Sequence, residues 1–238
     1  RLTDALTNNY DGMRMDFAYD DLELNWISNS KVSETERSIH DNLPTLVDAL
    51  LDDLRTNFPT ATLVFNGYFV ADDPTNYDTY LTNTTGGEYE FFAYSSNTPD
   101  ATAPLSTSGE ALLGLIDDHN LGKWSVASAG GSIVNLAARF NSLALHLLVA
   151  NSQTYYYYNP GSLSQEIPYY PEWGVQLGDP ILEITSSSQL THVSGALARG
   201  ISGTGYVPEL GGNGKLIYVK LDSGTLSTEA AAIIVRVL

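Results

Sequence analysis

Apolar positions along the chain follow two spacings in turn, one of three to four residues and one of two, and the succession predicts alternating helices and strands. Ile39, Leu43, Leu46, Val47, Leu50, Leu51, Leu54 and Phe58 recur at helical steps, forming one apolar stripe with acids on the other faces. Ser33 and Glu36 have capping-box spacing at the start of this helix, and Pro59, which has no N–H to donate, stops it. Residues 62–66 (TLVFN) are β-branched and aromatic and run into Asn-Gly, which predicts a buried strand. A shorter helix is expected over 74–81. Residues 88–94 (EYEFFAY) then read as a strand, and Thr107 with Glu110 caps a helix carrying Leu112, Leu113, Leu115 and Ile116 up to Asn120. Residues 123–127 (KWSVA) make the next strand. Ile133, Leu136, Ala137, Phe140, Leu143, Ala144, Leu147 and Leu148 mark the most regular amphipathic helix, and 154–158 (TYYYY) the strand after it. Residues 12–17 (GMRMDF) supply a strand at the start. The later strands begin about 30 residues apart, the size of a βα unit in a parallel sheet.

Past Gly161 the helical spacing disappears. Short β-rich runs at 174–177, 181–184, 196–201, 216–221 and 231–238 are separated by Pro, Gly and Ser, and Gly211, Gly212, Asn213 and Gly214 resemble a hairpin turn. The chain is therefore expected to divide into an α/β part, 1–160, and a small antiparallel β domain, 161–238. The string GGNGK lacks the first glycine of a phosphate-binding loop.

Composition narrows the function. The 238 residues carry a formal net charge of −17, a field that repels a polyphosphate, so no nucleic-acid partner is expected. Hydrophobic residues make up 43% and charged ones 16%, enough apolar material for a packed core. The absence of cysteine excludes disulfides, thiolate metal sites and cysteine nucleophiles. No apolar run approaches the length of about 20 residues that crosses a bilayer, so no membrane span is expected. His40, His119, His146 and His192 lack metal-ligand spacing, the Asp doublets lack the alternating calcium-loop pattern, and there is no G-x-S-x-G elbow. Neither a metal nor a cofactor is expected.

In parallel α/β folds the working residues gather at the C-terminal ends of the strands. There the first strand delivers Asp16, the second Asn66, and the third Glu90 and Tyr94, with Glu88 competing with Glu90 for the inward direction. Two carboxylates on next-but-one strands are what glycosidic cleavage needs, one to protonate the leaving oxygen and one to act as nucleophile or base. Tyr156, Tyr158 and Trp26 are candidate platforms for a sugar ring, since aromatic faces suit pyranose C–H surfaces.

The run Tyr10-Asp11-Gly12-Met13-Arg14-Met15-Asp16-Phe17 resembles the DG-x-x-x-D fourth strand of (β/α)8 glycoside hydrolases. Together with Val64-Phe65-Asn66-Gly67, Gly87-Glu88-Tyr89-Glu90-Phe91-Phe92-Ala93 and Tyr155-Tyr156-Tyr157-Tyr158-Asn159-Pro160 it is similar to TIM-barrel glycosidase families known mostly from sequence. The resemblance implies a (β/α)8-type barrel, of which this chain holds about five βα units, followed by an all-β sandwich-like domain entered near Trp173-Gly174. It implies Asp16 and Glu90 as the catalytic pair and Asn66 as a sugar-hydroxyl ligand. Against the chitinase motif D-G-x-D-x-D-x-E, Arg14 stands in place of the middle Asp and Ala18 in place of the final Glu, so chitinase chemistry is not expected. A whole barrel takes about 250 residues, so an upstream half of the barrel, ahead of Arg1, or neighbouring subunits are expected to complete it. The expected activity is hydrolysis of a polysaccharide or glycan outside the cell or at its surface. The alternative is a non-catalytic glycan-binding or structural protein, such as a virion appendage, on a degenerate barrel.

Overall fold

The computed structural model describes residues 11–15, 43–66, 80–90, 92, 105–130, 136–159, 169–174, 177–193, 196–207 and 210–220. The chain divides into two compact units, Arg1–Glu90 and Phe91–Leu238.

The first unit contains β1 (Gly12–Met15), α1 (Leu43–Asn57), β2 (Thr62–Asn66) and β3 (Gly86–Glu90). All three strands run parallel. Gly12 lies opposite Thr62 and Met15 opposite Phe65, while Val64 lies opposite Gly86 and Asn66 opposite Glu88. Because side chains alternate along a strand, this register sorts the sheet into two faces. Met15 and Phe65 share one face and pack with Val47 and Leu51 of α1 and with Tyr80 and Leu81. Arg14, Val64, Asn66 and Glu88 share the other. Full burial of each such Leu or Phe is worth roughly 1.5–3 kcal/mol, so α1 fixes which face is apolar. The end of α1 is tied down by Arg55, whose guanidinium donates to Pro59 O and Ala61 O, each at 2.9 Å, and to Asn83 O at 3.0 Å. A cation at this terminus also suits the helix dipole. Gly12 is required by the pairing, since a Cβ there would lie 2.0 Å from Thr62 O. The sequence pattern reads the third strand as starting at residue 88; it starts at Gly86, because the backbone of Gly86 and Gly87 pairs with Val64 and Phe65.

The second unit contains α2 (Leu105–Asn120), β4 (Trp124–Gly130), α3 (Leu136–Val149), β5 (Thr154–Asn159), β6 (Thr191–Val193), β7 (Ala196–Val207) and β8 (Gly212–Lys220). β4 and β5 are parallel, from Ser125 opposite Thr154 to Gly130 opposite Asn159. The five parallel strands and their helices make this an α/β fold, three strands in one unit and two in the other. β6, β7 and β8 form an antiparallel sheet whose pairing is irregular between Ile201 and Tyr206. α3 packs against β4 and β5 and also against β7 and β8. Arg199 of β7 fastens that second contact by donating to Leu147 O at 3.2 Å and Ala150 O at 2.6 Å, carbonyls at the end of α3 that the helix itself leaves open.

Two expected elements of the β-rich part are different. The hairpin turn falls at Gly211, whose φ of +63° suits glycine, and Gly212, Asn213 and Gly214 are already in β8. Residues 181–184 do not form a strand: Ile181 and Leu182 are exposed, Leu182 O accepts from Arg199, and the pairing there is a single bridge from Pro180 to Ile201. The run at 231–238 lies outside the described residues. In the aromatic approach to the β-rich part, Tyr170 and Trp173 meet Ala129, Tyr156 and Tyr158, while Tyr169 is exposed.

Candidate functional site

β1, β2 and β3 bring three polar side chains together near their C-terminal ends, on the face opposite α1. Glu88 is only 2% exposed and forms an ion pair with Arg14 Nε, reaching across β2 from the third strand to the first. Asn66, the last residue of β2, is buried and level with Glu88 in the register. A carboxylate with this little contact with water depends on its ionic and hydrogen-bonding partners. Arg14 is 42% exposed, so the pair grades from a buried acid to a cation in touch with solvent.

The expected site residues fall around this trio in different ways. Asn66 closes β2, at the strand's C-terminal end. Glu90 closes β3, two positions beyond Glu88, so positions 88 and 90 belong to one face of the strand and do not compete for it. The side chain of Glu90, and Asp16, Tyr94 and Trp26 as a whole, lie outside the described residues. The Arg14–Glu88 partnership is absent from the expectations, although its trace is visible in GMRM and GGEYE, where one basic residue and acidic ones interrupt two otherwise uncharged strands.

The tyrosines belong to the second unit. Tyr158 is wholly buried and meets Tyr170 edge-on at 5.8 Å, so its ring is covered by protein. Burial, with Tyr170 beside it, pushes its phenol up to about 12. Tyr156 is half-buried, its hydroxyl 2.8 Å from Ser142 Oγ and its ring stacked on His146 at 5.3 Å. Burial raises its pKa also. The exposed ring of the strand is Tyr155, 5.5 Å from Trp124. Arg139 of α3 pairs with Glu172 and lies 4.2 Å over the Tyr170 ring, so the turn Pro171–Gly174 is held to the helix.

No family model and no curated protein matches the chain. The chain is similar in structure to the glycoside hydrolase domain of PelA from Pseudomonas aeruginosa, with a TM-score of 0.43 and 15% sequence identity, over 69% of this chain and 59% of that one. It thus spans less than two thirds of that domain's length. No helix among the described residues is long and apolar enough to cross a membrane.

Proposed function

We propose that the chain is a glycosidase-type module acting on a polysaccharide or glycan, with Asp16 and Glu90 as its acid and base and β1 to β3 as consecutive strands of a (β/α)8-type barrel. The observation that carries this reading is the gathering of Arg14, Asn66 and Glu88 on one face of three parallel strands, near their C-terminal ends. Asp16 follows Arg14 by two residues and Glu90 follows Glu88 by two. In this reading each acid stands one step further out than its member of the ion pair, the pair forming a floor and the acids a rim. With one strand between β1 and β3, the reading puts the two acids on backbones about 10 Å apart at the usual strand spacing. Carboxyl arms from that distance can reach the separation of about 5.5 Å used by retaining enzymes or the wider gap of inverting ones. Glu90 is assigned as proton donor, close in sequence to the buried Tyr89 and Phe92, and Asp16 as the ionised partner beyond Arg14.

The test is turnover on a panel of polysaccharides, followed by Asp16→Asn and Glu90→Gln with the substrate so found. Each variant is expected to lower kcat at least about a hundredfold, within the usual range for acid–base groups, with KM little changed. Unchanged turnover in both variants removes the pair from the mechanism. Glycan binding without turnover in the wild type favours the non-catalytic scaffold instead.

A further inference from the structure

Strand alternation divides β4 and β5 into two faces. In their parallel register Val126 lies opposite Tyr155 and Ala127 opposite Tyr156, so Trp124, Val126, Tyr155 and Tyr157 share one face, and Ser125, Ala127, Tyr156 and Tyr158 the other. The second face is turned to the helices: Ser125 Oγ donates to Asp118 Oδ2 of α2 at 2.6 Å, and Tyr156 OH lies 2.8 Å from Ser142 Oγ of α3. Ser125, Ala127 and Tyr158 are fully buried there. The first face is open where the strands begin. Trp124 and Val126 are half-buried and Tyr155 is 46% exposed, while Ser128, further along β4, is buried.

The Trp124 and Tyr155 rings stand 5.5 Å apart, tilted by 58°. They project from neighbouring paired strands, which hold both rings in place more precisely than a loop would. Neither the Tyr155 hydroxyl nor the Trp124 indole N–H has a hydrogen-bond partner among the described residues. Two rings in contact with solvent, each with an unused polar tip, match a pyranose, whose C–H face stacks on an aromatic ring and whose hydroxyls take up hydrogen bonds at the ring's edge. The net charge of −17 disfavours a polyanionic chain. Because the rings are not coplanar, they suit a single soluble chain rather than the flat face of a crystalline polysaccharide.

We propose that Trp124 and Tyr155 form a binding subsite for a pyranose unit of a soluble, uncharged glycan, holding the chain without taking part in bond cleavage. The inference rests on the reading of the protein as a glycan-acting module, and it uses none of the residues assigned there to catalysis.

The probes are uncharged oligosaccharides of glucose, galactose, mannose and N-acetylhexosamines, presented to the full chain on an array. Each binder is then titrated in solution by calorimetry and by ¹⁵N NMR of the Trp124 indole N–H, assigned through Trp124→Phe. Saturable binding that moves this resonance in step with the heat is expected. Tyr155→Ala is expected to weaken binding at least about tenfold with the far-ultraviolet spectrum kept, and Tyr155→Phe, which retains the ring, by less than about threefold. If a glycan is bound or cleaved but the Trp124 resonance stays still, or if folded Tyr155→Ala binds it like the wild type, the inference is overturned and the glycosidase reading stands. If a glycan binds at the pair and no polysaccharide is turned over, the inference holds and the catalytic reading falls. If no oligosaccharide binds and none is cleaved, both fall. Loss in Tyr155→Ala of a dimer formed by the wild-type chain would assign the rings to a contact between copies and overturn the inference. Because the resonance is followed in the wild-type protein, a Tyr155→Ala chain that fails to fold still leaves the proposal open to refutation.

Discussion

Arg14 and Glu88 illustrate how a charge is tolerated within a strand. Glu88 is buried, and removing the guanidinium of Arg14 takes an ionic partner from an acid that has little water around it. Breaking a fully buried pair costs about 3–5 kcal/mol. Because Arg14 is partly exposed, Arg14→Met is expected to cost less, about 1–3 kcal/mol, once solvent screening is allowed for. Adding Glu88→Gln should recover part of that loss, since it removes the charge that Arg14 balanced. Urea unfolding of the two single variants and the double variant measures the coupling, and strictly additive losses would show that the two side chains do not depend on one another.

Among the elements, α3 makes the most varied contacts, and its polar ones come from distant parts of the chain. Glu172, in the turn Pro171–Gly174, reaches Arg139 with both side chains largely buried, and Tyr170 lies beneath the same guanidinium. Glu172→Gln keeps the shape and removes the ionic hold. Amides of the turn, Trp173 N–H to Tyr170 O among them, are then expected to exchange with deuterium at least about tenfold faster, as a local opening made easier by about 1.4 kcal/mol would do. Unaltered protection there would show that ring packing alone holds the turn. Elements fixed by local pattern are the ones legible in the sequence. The strand Thr62–Asn66 and the apolar stripe of α3 follow from side-chain spacing, and both occur where the spacing puts them. Residues 212–214 read as a turn because they are rich in glycine, and the pattern starts the third strand only at 88, after Gly86 and Gly87, yet distant strands pair with these glycines and override the local preference. The candidate site is half legible for the same reason. Strand ends point to Asn66 and Glu90, but a partnership between Arg14 and Glu88, 74 positions apart, emerges only from the register of three strands.

For the molecule as a whole, acidity has two opposed effects. With a net charge of −17, mild acidification lessens self-repulsion. His146 acts the other way. Burial first, and the Arg199 charge second, lower its pKa from 6.5 to about 4, so the folded protein holds it neutral. Between these two values the unfolded chain binds the extra proton, and stability is therefore lost as pH falls from 6.5 towards 4, by an amount on the order of 3 kcal/mol if this group acts alone. The urea midpoint is expected to drop across that window and to drop less in His146→Gln. An equal slope in the variant would assign the effect to carboxylates. The grip of Arg199 on the last carbonyls of α3 bears on how the chain can be cut and recombined. β6, β7 and β8 follow the α/β part in sequence like an added module, but one of their side chains completes the end of a helix that belongs to the part before them. A fusion or domain exchange spliced after β5 would separate a helix from its own cap, so the natural unit of transplantation runs from α3 through β8 without a seam.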